Sequence, residues 1–64
     1  MDYSKLIKSL REKMLLTQTE FAEKLGVSFG SVNRWENDKH EPTMKVKRQL
    51  AVLFKKYNIN EGDN

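Results

Sequence analysis

Thr17–Asn37, TQTEFAEKLGVSFGSVNRWEN, is the stretch whose reading decides the fold. Thr17 can cap a helix, and Glu20, three residues on, completes a capping box. Phe21, Ala22 and Leu25 then recur at helical spacing. Gly26 stands where that helix needs a left-handed residue to stop. Val27 follows, and Ser28 can cap a second helix with Val32 and Trp35 on one face. The pattern predicts two short helices joined by a tight glycine turn. Ala22 allows their close approach, and one face of the second helix is left free to project.

Outside this stretch the same periodicity continues. Asp2–Met14 carries an apolar stripe of Tyr3, Leu6, Ile7, Leu10 and Met14, which predicts a first helix. Asp2 sits early in it, where the helix dipole favours an acid. Leu15 and Leu16 link it to the second helix, and at least one of them should be buried. Asn37–Pro42, NDKHEP, is a polar loop that ends at a proline. A fourth helix should start near Thr43 and reach Tyr57, with Val46, Leu50, Leu53, Phe54 and Tyr57 as its stripe. Asn58–Asn64, NINEGDN, is short and poor in apolar residues, so residues 58–64 read as a flexible tail behind a single domain of residues 1–57. No internal repeat or low-complexity segment interrupts this order.

The 20-residue unit Gln18–Asn37 resembles, without a gap, the helix-turn-helix of the Cro/phage-repressor (XRE-type) DNA-binding domains. Gln18, Phe21-Ala22, Leu25-Gly26-Val27, Val32 and Trp35-Glu36-Asn37 carry the match, followed by Lys39 and Pro42. A weaker similarity extends across Leu6–Phe54. The resemblance implies an all-α, repressor-like domain of four helices, five being the usual number when a short dimerising helix is added. It implies sequence-specific binding of double-stranded DNA, with the third helix in the major groove, as a homodimer on a palindrome.

By that resemblance Arg11 pairs with Glu36 and ties the first helix to the third. Phe29, Gly30, Asn33 and Arg34 fall at the base-reading positions. Arg34 can donate bidentately to guanine, and Asn33 can pair with adenine or hold a phosphate. Phe29 can fold back on the domain, pack on sugars or a thymine methyl group, or bind another protein. Gly30 is either a tolerated defect or a site of close backbone approach to DNA. Phe29 and Gly30 depart from the polar readers common in the family. Gln18, Ser28, Ser31, Asn37 and Lys39 fall to the sugar-phosphate backbone. Gln18 has a second reading as an ordinary exposed polar residue, and Ser28 doubles as the helix cap.

Composition limits the other functions. The chain has 64 residues, a net charge of +3 and no cysteine, with a pI near 9.3. That balance permits nucleic-acid binding without requiring it. Without cysteine there is no disulfide and no thiolate zinc site. No apolar run approaches the roughly 20 residues of a membrane span, and no signal-peptide core opens the chain, so it reads as cytoplasmic. His40, the single histidine, lies in the polar loop with no partner pattern for a metal or a catalytic dyad. There is no Ser/His/Asp arrangement and no glycine-rich phosphate loop. The chain therefore reads as a non-enzyme with no cofactor, no metal and no evident small-molecule substrate. The alternative reading is a protein-interaction module, antitoxin-like or an assembly partner, that keeps the fold.

Overall fold

The computed structural model describes residues 2–60. Among them are four helices and no strand: α1 (Tyr3–Lys13), α2 (Gln18–Leu25), α3 (Phe29–Glu36) and α4 (Met44–Lys56). No fifth helix occurs among the described residues, and residues 61–64 of the expected tail lie outside them.

Three of the four helices start behind a residue whose side chain accepts from their orphan amides. The Asp2 carboxylate accepts from the Lys5 amide at 3.4 Å. The Ser4 hydroxyl and then that amide hold the Asp2 carboxyl below its ordinary pKa. This cap is therefore complete at neutral pH, and its contribution is lost as pH falls through the depressed value. Thr17 and Glu20 form the reciprocal capping box, with bonds of 3.1 and 2.9 Å. Ser28 accepts from the Ser31 amide at 3.1 Å. Thr43 flanks α4 but makes no side-chain cap.

The four helices stop in one way. After each, a residue turns into the left-handed region: Leu15 (φ 60°), Gly26 (φ 73°), Asp38 (φ 59°) and Asn58 (φ 59°). Its amide bonds back to one carbonyl, and the next amide reaches the carbonyl before that. The pairs are Leu15/Leu16 onto Glu12/Arg11, Gly26/Val27 onto Glu23/Ala22, Asp38/Lys39 onto Trp35/Arg34 and Asn58/Ile59 onto Lys55/Phe54. This is the Schellman pattern, and it satisfies the last carbonyls of each helix. In three of the four, the residue after the left-handed one is apolar. Leu16, Val27 and Ile59 all pack on the core. Ile59, two residues after Tyr57, is partly buried against the core. The fourth such residue is Lys39, which stays exposed.

The stripes meet in one core. Leu6, Ile7 and Leu10 of α1, Phe21, Ala22 and Leu25 of α2, Val32 and Trp35 of α3, and Val46, Leu50 and Phe54 of α4 are buried. No charged or polar residue is fully buried among them. The helix α3 packs against both α1 and α2, and α4 packs on α1. Lys47 fastens the start of α4 by bonding Glu41 at 3.0 Å while lying 5.0 Å from the Tyr3 ring centre. Lys13 donates to the Tyr57 carbonyl at the other end of α4, at 3.2 Å.

Of the two linking leucines, Leu16 is half-buried, whereas Leu15 is 88% exposed. Leucine is a poor choice for a left-handed position, because its Cβ crowds the following carbonyl. Leu15→Gly removes that strain and loses almost no packing. It is expected to raise stability by about 0.5–1 kcal/mol, or a few degrees in Tm. Thermal unfolding followed by circular dichroism checks this; an unchanged or lower Tm would show that Leu15 has a compensating contact.

Candidate nucleic-acid interface

Three of the residues singled out, Gln18, Asn33 and Asn37, lie on one chain of polar contacts that runs from a single carboxylate, that of Glu36. Glu36 ends α3 with its side chain 5% exposed. Arg11, from α1, meets it with two parallel bonds: Nε donates to Oε2 at 2.7 Å and Nη2 to Oε1 at 3.1 Å. The third arm of the guanidinium, Nη1, donates to the Leu16 carbonyl at 3.0 Å. One arginine thus joins α1, the α1–α2 link and α3. The hydrogen bonds to Glu36 hold the guanidinium above its ordinary pKa.

A relay of amides continues from the carboxylate. Gln18 Nε2 donates to Glu36 Oε1 at 3.0 Å. Asn33 Nδ2 donates to Gln18 Oε1 at 3.2 Å. Asn37 Nδ2 donates to Asn33 Oδ1 at 3.0 Å and to the Asn33 carbonyl at 2.9 Å. A carboxylate can only accept, so it presents the nitrogen side of Gln18 to itself, and the orientation of each later amide follows. Gln18 and Asn33 each keep one N–H uncommitted. The Asn33 side-chain oxygen accepts from Asn37 through one of its two lone pairs.

The remaining residues lie outside the relay. Ser28 and Ser31 share a bond of 3.0 Å between their hydroxyls at the start of α3. Phe29 is 51% exposed at the first position of that helix. Arg34 and Lys39 are exposed, and no hydrogen bond or ion pair engages either side chain among the described residues. The Lys39 backbone, in contrast, is anchored, its amide 2.9 Å from the Arg34 carbonyl. No group of three His, Cys, Asp or Glu residues among those described could hold a metal ion. Among the described residues no helix is long and apolar enough to cross a membrane.

These features are a capping-box helix, a left-handed glycine, a second helix with one buried and one free face, and an arginine–glutamate tie behind them. A helix-turn-helix family model matches residues 7–61. The chain belongs to the XRE/Cro-C1-type helix-turn-helix family. It is also 40% identical over 60 residues to the antitoxin PezA of Streptococcus pneumoniae serotype 4 (strain ATCC BAA-334 / TIGR4), a match covering 92% of this chain and 35% of that protein. The chain therefore spans about a third of that relative's length. No solved structure gives a significant match.

Sequence reasoning missed the Gln18–Glu36 and Gln18–Asn33 contacts. They join residues 18 and 15 positions apart, and no periodic signal marks them. The tie to Arg11 also makes a stability prediction. Glu36→Ala leaves a largely buried guanidinium with only one carbonyl partner, at an expected cost of about 3 kcal/mol in urea unfolding. Replacing both partners together, as Arg11→Met with Glu36→Leu, should cost much less, because the unpaired charge is removed with its partner. Equal losses in the two proteins would rule out charge burial as the cause.

Proposed function

We propose that this domain binds double-stranded DNA in a sequence-specific manner as a non-enzymatic transcriptional regulator, with α3 in the major groove. The observation that carries the reading is the undisturbed helix-turn-helix match, whose free α3 face holds the unpartnered Arg34 and the half-exposed Phe29. Arg34 donates to a guanine edge, and Phe29 packs on a thymine methyl group. Gln18 donates its second N–H to a phosphate, beside Ser28, Ser31, Asn37 and Lys39. Asn33, with one spare N–H, donates to a phosphate or pairs with adenine. A single small module binds weakly, so a homodimer on a palindromic site is the functional unit. A genomic duplex as partner makes the cytoplasm its place of work.

The second reading is a protein-interaction module of the antitoxin kind. It draws on the similarity to an antitoxin and on the apolar side chains of Phe29, Met44 and Val52 left exposed.

Selection of bound duplexes from a random-sequence pool at two salt concentrations separates the two. An enriched palindrome, with log affinity falling linearly in log salt, is the expected result. Retention at neither salt would turn the assignment to the protein partner. Within the DNA reading, Lys39→Ala should weaken all sequences alike and lower the salt slope by about one. Gln18→Ala should also weaken all sequences alike but leave the slope unchanged, because no charge is lost. A changed base preference in either variant would contradict the backbone role.

A further inference from the structure

Gly30 occupies the first turn of α3 without needing a left-handed backbone, since Gly26 is the glycine at positive φ among the described residues. Conformation therefore does not account for the missing side chain, and a glycine in a helix costs about 0.5–1 kcal/mol relative to alanine. Its nearest neighbour is the side chain of Arg34. A Cβ placed on Gly30 would lie 3.4 Å from Nη1 and 4.0 Å from Cζ of Arg34, with the Ser28 hydroxyl at 3.9 Å. The Arg34 side chain leans back by one turn, as long helical side chains do, and its guanidinium lies beside the vacant Cβ position of residue 30. There it has no carboxylate or carbonyl partner among the described residues. It also sits toward the N-terminal end of the helix, where the dipole disfavours a cation. A guanidinium in this position has five donors and no counter-charge, which suits an acceptor-rich group brought from outside.

We infer that Gly30 and Arg34 act as one specificity element: the empty side-chain position of residue 30 seats the Arg34 guanidinium over the first turn of α3, where it reads the acceptor edge of a guanine. Gly30 is the positioning residue and Arg34 the contacting one. The inference rests on the proposal that α3 enters the major groove. A methyl group at residue 30 fits at ordinary contact distance from the guanidinium, whereas a longer side chain must share its space and displace it.

The experiment is duplex selection from a random pool with the full chain and four variants: Gly30→Ala, Gly30→Gln, Arg34→Ala and the double variant of Gly30→Gln with Arg34→Ala. Arg34→Ala should lower the preference for guanine at one base pair by about tenfold. Gly30→Gln should lower it at the same pair, and should cause no further loss there in the Arg34→Ala background. Gly30→Ala should retain the unsubstituted preference. Both residue-30 variants should keep the helical circular dichroism signal, since alanine and glutamine favour helix more than glycine does. Nuclear Overhauser contacts between the Gly30 α-protons and the Arg34 side chain in the DNA-free protein provide a readout independent of binding. Their absence overturns the inference. So does a Gly30→Gln protein that keeps the guanine preference, or losses that multiply in the double variant. A uniform loss across all sequences in Arg34→Ala would make Arg34 a phosphate contact and also overturn it. Failure of the unsubstituted chain to enrich any duplex would instead remove the DNA reading on which the inference rests.

Discussion

A nearly buried carboxylate needs its charge answered, and much of this small domain is arranged around answering Glu36. Desolvating such a group costs several kcal/mol unless its lone pairs are filled. Arg11 fills them from α1 and Gln18 from α2, while the third arm of Arg11 holds the Leu16 carbonyl in the link between those helices. The same set of bonds therefore assembles the three helices of the N-terminal half and fixes the orientation of the amides at the interface. The bonds that tie α3 to α1 and α2 also leave one N–H of Gln18 and one of Asn33 uncommitted.

The second constraint is size. A chain of 64 residues buries only about 60% of its unfolded surface, so short helices must end cleanly and quickly. The repeated left-handed stop meets this need four times. In three of them it also turns an apolar side chain back onto the core. The exception is informative. After α3, the corresponding place is taken by Lys39, exposed and with its backbone pinned. A cation on a fixed backbone beside a free helix face gives electrostatic attraction a defined direction, and that is lost if the position is spent on the core. Leu15 marks the opposite compromise, a left-handed residue with a Cβ and little packing in return.

Recognition on α3 combines a rigid platform with few commitments. The buried face, Val32 and Trp35, sets the rotation of the helix. On the free face Phe29 is half-exposed, Gly30 bare and Arg34 unpaired among the described residues. Side chains without internal partners cost little to redirect toward a base edge, whereas the relay residues would have to break bonds to do so. The fold has thus engaged Gln18, Asn33 and Asn37 and left the side chains of Arg34 and Lys39 unengaged among the described residues.

Local chemistry by itself determined the elements. Period-3.6 stripes, the Thr17–Glu20 box, Ser28 and Gly26 act over a few residues, so the four helices and nearly all the buried side chains were legible directly. The Arg11–Glu36 tie was legible through the family resemblance alone, since nothing local links positions 25 residues apart. Leu15 as a left-handed stop, Ile59 folded onto the core, and the Gln18–Asn33–Asn37 relay came only from the tertiary structure. Each depends on where a distant helix places a carbonyl, a carboxylate or an apolar surface. Even the contact of Gly30 with Arg34, though only four residues apart, depends on a rotamer, and no sequence pattern records a rotamer. The chain's own residues specify helices and their ends, but the interface exists only once packing has decided which polar groups are spent and which remain free.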